Sequence, residues 1–128
     1  MTMFLTLSNT YTTFTIALFH DRQLHDQVSD INANTSKNFI PLLDTLLKKK
    51  NCAISDIQFI AVNQGPGPFT TLRSILATAN GLNFATNIPL VGVDGMQAFV
   101  TEHESKLFDH TIALFNAFNK DVYYGIQA

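Results

Sequence analysis

Residues 65–73 read Gly-Pro-Gly-Pro-Phe-Thr-Thr-Leu-Arg, and no other stretch of the chain gathers as much potential chemistry. They join a short apolar run, Ile57 to Val62, to a helical pattern, which places them at a strand-to-helix junction. Gly65 and Gly67 permit close backbone approach, and free N–H groups at a helix start attract anions. Pro66 and Pro68 oppose that use, because each removes a donor that a phosphate cradle needs. The spacing is not that of a dinucleotide fold, and no Lys-Ser/Thr pair follows the glycines. The residues alone favour a rigid turn in which Thr70 or Thr71 caps the helix and Phe69 packs inward. Arg73, one turn into the helix, is placed either to grip a carboxylate or phosphate bidentately or to stand solvated on a polar face.

The remaining candidates are weaker. His20, His25, His103 and His110 are scattered, with no metal-binding spacing among them. No Ser lies in a G-x-S-x-G elbow. The acids from Asp21 to Asp121 fall mostly in turns and at helix ends, and none forms an evident acid–base pair. Asp94 follows a strand, where capping the next helix explains it. Cys52 is the only cysteine, so no internal disulfide forms, and it reads as a small apolar packing residue. Neither catalytic residues nor a cofactor or metal site is expected.

At 128 residues, 46% hydrophobic and 14% charged, the chain suits one globular unit with a substantial core. Residues 3–8, 14–19 and 24–29 read as three strands joined by polar turns, an antiparallel meander. Residues 35–50 change to a helical period, with Thr35 or Ser36 as N-cap and Pro41 best placed in the first turn. Strand 57–62, the Gly-Pro loop, a helix over 69–85, strand 90–93 and a short helix over 95–104 follow. Residues 111–115 and 122–127 are strands around Asn119-Lys120-Asp121. The order βββαβαβ(α)ββ specifies an α/β layer fold on a mixed sheet.

Net charge is −2, and the one basic cluster, Lys48-Lys49-Lys50, lies where it complements a helix dipole. Weak nucleic-acid binding without site preference is expected of the isolated chain. No signal peptide or membrane span is visible, so the cytoplasm is the expected location. Both long helices carry apolar residues beyond one stripe. Phe39, Leu43, Leu46 and Leu47 on the first, and Leu72, Ile75, Leu76 and Ala79 on the second, are the expected partner surface, with small Ala77 and Gly81 permitting close helix approach.

The run from Ala61 to Arg73 resembles the signature of the TsaB (YeaZ-type) family, usually GPGSFTGLR after an apolar strand. The resemblance continues through Ala77-Thr78-Ala79-Asn80-Gly81-Leu82 and Asn87-Ile88-Pro89-Leu90-Val91-Gly92-Val93. It extends upstream to Phe39–Asp44 and Ile54–Ile57, and downstream to Asn116-Ala117-Phe118 with Val122-Tyr123. It implies an actin/Hsp70-like (ASKHA, ribonuclease H-like) lobe over 1–105, with a mixed five-stranded sheet. Residues 106–128 would be the opening hairpin of a truncated second lobe. Gly65, Pro66, Gly67, Phe69, Thr70 and Arg73 carry the family loop.

The resemblance further implies a non-catalytic scaffold in forming threonylcarbamoyladenosine at position 37 of tRNA. Its partners would be a TsaD-like enzyme and a TsaE-like ATPase, and it would form a homodimer through the helix pair when alone. Ser8 and Asn116 stand where the family has Asp, Pro68 for Ser, Thr71 for Gly and Phe118 for Arg. The missing carboxylates lower the expectation of Mg-nucleotide binding. The alternatives are a nucleotide-dependent enzyme of the actin/sugar-kinase fold and a degenerate lobe that only self-associates.

Overall fold

The computed structural model describes all residues, 1–128. Seven strands and three α-helices follow one another as β1 (Met3–Asn9), β2 (Thr13–His20), β3 (Gln23–Ile31), α1 (Thr35–Lys49), β4 (Phe59–Asn63), α2 (Phe69–Thr86), β5 (Leu90–Val93), α3 (Gly95–Glu102), β6 (Thr111–Phe118) and β7 (Asp121–Gln127). The first five strands form one mixed sheet in the order β3-β2-β1-β4-β5, and β6 and β7 pair in a second. Central β1 runs antiparallel to β2, with Leu5 opposite Leu18, and parallel to β4, with Leu5 opposite Ile60.

Strand alternation sorts the side chains. Leu5 and Leu7, Phe14, Ile16 and Leu18, and Ile60 and Val62 share one buried face. There they meet Phe39, Leu43, Leu46 and Leu47 of α1 and Ile75 and Ala79 of α2 in one core. Burying each large apolar side chain contributes about 1.5–3 kcal/mol. On the opposite face Phe4 stacks between Phe19 and Phe59, ring centres 5.0 and 4.6 Å away.

Helix α1 is tied to edge strand β3 by two carboxylates four residues apart. Asp30 accepts from Asn38 Nδ2 at 2.7 Å and from Asn34 Nδ2 at 3.1 Å, near the helix start. Asp26 pairs with Lys49 at 2.8 Å and Lys50 at 3.7 Å, at its end. Lys48 pairs with Asp44, so acids engage all three lysines of the basic cluster.

The helix begins differently from the sequence reading. Neither Thr35 nor Ser36 is its N-cap. Asn34 takes that position without a side-chain cap bond, after a 3₁₀ turn over Asn32–Asn34, and Thr35 Oγ1 donates back to Asn32 O at 2.8 Å. Pro41 lies in the helix interior, past the first turn. Its missing N–H costs one ladder bond, but the buried row Phe39, Leu43, Leu46 and Leu47 runs on through it.

The second sheet packs on α3. Gly125 makes this fit possible, since a Cβ there would lie 2.7 Å from Met96 Cγ. Val100 of α3 and Ala113 of β6 are buried at this contact. No helix is long and apolar enough to cross a membrane.

Candidate functional site

The Gly-Pro loop sits where β1, β4, α3 and β6 come together. Asn63 ends β4 and its Oδ1 accepts from Gly65 N at 2.9 Å. Gly65 has φ +104°, a conformation open to glycine, and its carbonyl accepts from Gly95 N at 2.8 Å. The Gly65–Pro66 peptide is cis. Gly67 lies against Asn9, and a Cβ would come within 3.1 Å of Asn9 Nδ2. The loop is thus pinned on three sides, to its own strand, to the start of α3 and to the β1–β2 turn.

Helix α2 starts with Pro68 as N-cap and no side-chain cap bond. Thr70 and Thr71 therefore do not cap it, contrary to the sequence reading. Thr71 is buried and Thr70 exposed. Phe69 does not pack inward either. It is 71% exposed, and the Arg73 guanidinium lies 5.3 Å from its ring centre. Position 69 opens the helix on its solvent side, while the sheet is met by 71, 75 and 79. Asp94 does cap α3, accepting from Gln97 N at 2.9 Å.

A cavity of about 340 Å³ opens beside the loop. Asn9, Thr10 and Asn63 supply polar groups, Pro66 and Pro68 a rigid wall, and Tyr11, Phe99 and Phe115 aromatic faces. Tyr11 OH donates to Asn116 O at 2.9 Å, which fastens the β1–β2 turn to β6. Asn9 Oδ1 is buried without a hydrogen-bond partner. The sequence reading missed Asn9, Tyr11, Phe99 and Phe115, because they come from segments far apart in the chain. Of the loop residues, Gly65, Pro66 and Gly67 build the junction, whereas Phe69, Thr70 and Arg73 face solvent. No three His, Cys, Asp or Glu side chains cluster as metal ligands.

The eight apolar residues expected to form a partner surface divide. Phe39, Leu43, Leu46 and Leu47 of α1, with Ile75 and Ala79 of α2, are at most 7% exposed and belong to the core. Leu72 and Leu76 are half-buried. The outward face of α2 instead runs through Phe69, Arg73, Ala77, Gly81 and Phe84, with Phe84 89% exposed. A Cβ on Gly81 would meet nothing within 4 Å, so the middle of this face is low and open. Ile40 is the large apolar residue exposed on α1.

Comparison with known proteins agrees with this architecture. The family model described as TsaD: tRNA N6-adenosine threonylcarbamoyltransferase matches residues 29–127. A relative from Buchnera aphidicola subsp. Baizongia pistaciae, named tRNA threonylcarbamoyladenosine biosynthesis protein TsaB, is 30% identical over 76 residues. That match covers 59% of this chain and 34% of the relative. A tRNA N6-adenosine threonylcarbamoyltransferase of Solidesulfovibrio magneticus is 43% identical over 58 residues, 45% of this chain and 16% of that one. A Pseudomonas aeruginosa crystal structure, described as having similarity to peptidase YEAZ, superposes with TM-score 0.81 at 25% identity, covering 98% of this chain and 59% of that one. The chain thus spans about a third of the length of its TsaB relative and about three-fifths of the solved one. With the five-stranded lobe, the loop and the hairpin all in place, the chain belongs to the TsaD (tRNA N6-adenosine threonylcarbamoyltransferase) family, as a protein of the TsaB, or YeaZ, type.

Proposed function

We propose that this chain acts in forming threonylcarbamoyladenosine on tRNA as a non-catalytic partner, docking a TsaD-like enzyme through the outward face of α1 and α2. The carrying observation is the α2 stripe, low at Ala77 and Gly81 and bounded by exposed Phe69 and Phe84. A helix of the partner fits between the two Phe side chains, and small residues let backbones approach closely. Residues 1–105 serve as the actin-like lobe and 106–128 as the opening hairpin of a second. A TsaE-like ATPase completes the assembly, in the cytoplasm where tRNA is modified.

A scaffold reading is supported over a nucleotide-dependent enzyme by what the loop donates. Pro66 and Pro68 have no N–H, and the Gly65 N–H is taken by Asn63. Ser8 and Asn116 carry no carboxylate for a magnesium ion.

The test is isothermal titration of a TsaD-like subunit with wild type, Ala77→Glu and Phe84→Glu. Each variant adds a charge to an exposed position, so each folds, and at least tenfold weaker binding is expected, about 1.4 kcal/mol. Unchanged affinity in both would remove the helix face from the reading. Thermal stabilisation by Mg-ATP that grows with its concentration would favour the enzyme instead.

A further inference from the structure

Helix α3 packs chiefly on the β6–β7 ribbon. Met96 meets Gly125, Val100 and Ala113 are buried there, and the Phe99 ring lies edge-on to Phe115 at 5.1 Å. Helix and ribbon therefore make one packed unit, and the five-stranded sheet with α1 and α2 makes another. Apart from the chain itself at Asp94, which caps α3, two hydrogen bonds cross between the units. Gly95 N donates to Gly65 O at 2.8 Å, beside the crossing chain. Tyr11 OH donates to Asn116 O at 2.9 Å, from the β1–β2 turn to the far end of β6. The cavity is bounded by Gly95 at one crossing and by Tyr11 at the other. Asn9, Asn63 and Pro66 wall it from the sheet, and Phe99 and Phe115 from the α3–ribbon unit.

The Tyr11 crossing is built from more than one bond. Phe118 meets the Tyr11 ring edge-on, with centroids 5.9 Å apart and planes at 86°. Phe118, Asn119 and Lys120 have φ of +64°, +51° and +68°. Asn tolerates that conformation, but a bulky Phe adopts it rarely, and such residues persist where their surroundings fix them. Asn116 Oδ1 fixes this one, accepting from Phe118 N at 2.8 Å. Asn116 thus serves twice, its carbonyl holding Tyr11 and its side chain holding Phe118. Burial does not hold the pair, since Tyr11 and Phe118 are 46 and 52% exposed. We infer that Tyr11, Asn116 and Phe118 form a latch, opposite a hinge at Asp94–Gly95, that keeps the α3–ribbon unit shut against the cavity. A neutral hydrogen bond and an edge-on aromatic pair each bias an equilibrium by roughly fivefold. Together they favour the shut arrangement by roughly 25-fold, a margin that ordinary coupling to a ligand or partner overturns. Opening keeps every contact of α3 with the ribbon, because both swing together, and it removes Phe99 and Phe115 as walls of the cavity. The latch lies away from the exposed face of α2, so it operates whether or not that face docks a partner.

The test is double electron–electron resonance between spin labels at Gln27→Cys on β3 and Tyr124→Cys on β7, in a Cys52→Ser background. Both labelled positions are exposed. Labelled protein is diluted in unlabelled protein, so that only distances within one chain are read. With the latch intact, one narrow distance distribution is expected. Tyr11→Phe, which removes only the hydroxyl, and Phe118→Ala should each add a second component, lowering the shut-to-open ratio roughly fivefold. The two together should lower it roughly 25-fold, with an unchanged circular dichroism spectrum, since opening breaks no core contact. Should Phe118→Ala fail to fold, Tyr11→Ala removes the same ring contact from the other side. A broad distribution with the latch intact would overturn the inference. So would a narrow one kept through both substitutions, which would show that α3 and the ribbon are fixed in place without the latch.

Discussion

The five-stranded sheet and the β6–β7 ribbon both contain strands rich in apolar residues, yet they use them in opposite ways. In the sheet, β1, β2 and β4 send one row each to α1 and α2, and Leu5, Phe14, Ile16, Leu18, Phe39, Leu46, Ile60 and Ile75 are at most 1% exposed. In the ribbon, Ala113 is the only residue that is fully buried, Phe115 is half-buried against Phe99, and Ile112, Leu114, Val122, Tyr124 and Ile126 stand exposed on the other face. Strand composition therefore does not decide burial here. The number of helices laid on the sheet does, with two over one region and a single short helix over the other.

Core truncation is the sharpest way to break the contrast. Phe39→Ala removes a side chain stacked 5.8 Å from Phe14 and should cost about 3–5 kcal/mol in urea unfolding, whereas Leu114→Ala, on the open ribbon face, should change monomer stability by less than about 0.5 kcal/mol. Equal losses would mean that the ribbon face is covered within the monomer.

Gly81 offers a smaller and opposite effect. A Cβ there meets nothing, so Gly81→Ala should raise stability by about 0.5–1 kcal/mol through lower unfolded-state freedom and better helix propensity. A destabilised Gly81→Ala would show that this face is already occupied.

The smallest effect is one of pH. Hydrogen bonds from Asn38, Ile31 N and Asn34 hold the Asp30 carboxyl below its ordinary value of 3.8, and those from Lys49 and Gln27 N do the same for Asp26. A lowered carboxyl stabilises the fold in full above that ordinary value, and the contribution is lost as pH falls through the lowered one. Urea midpoints should therefore hold from neutrality to weakly acidic pH and fall below about 4, with a shallower fall in Asp30→Asn and Asp26→Asn. Parallel curves for all three proteins would detach these carboxylates from acid unfolding.

The element order was legible because the apolar period switches cleanly, from alternation in Phe14 to Phe19 to a helical row in Phe39, Leu43, Leu46 and Leu47. The facing of α2 was not. Its apolar residues run all round, Leu72, Ile75, Leu76, Ala79, Leu82 and Phe84, so periodicity could not tell the sheet side, 71, 75 and 79, from the solvent side, 69, 77 and 84. The buried Thr71 and the exposed Phe69 each invert the expectation from residue type. The start of α1 was hidden for a related reason. It is anchored by Asp30, on the preceding strand, rather than by a local cap. The loop's role as a junction could be read from its glycines and prolines. Its cavity could not, because Asn9, Tyr11, Asn63, Phe99 and Phe115, which line it, come from segments far apart in the chain. The Tyr11–Asn116 hydrogen bond that joins two of those segments spans 105 residues.

Central β1 has one partner beside it in the chain and another far along it. Its edge toward β2 can pair as soon as the first hairpin leaves the ribosome. Its other edge, Phe4 to Leu7, pairs with Phe59 to Val62, which are made fifty-five residues later. At about 5–20 residues per second, that is roughly 3–11 s of synthesis. For that interval the strand destined for the centre of the sheet is an edge strand of the nascent chain, with a row of apolar side chains and unpaired backbone groups open to any neighbouring polypeptide.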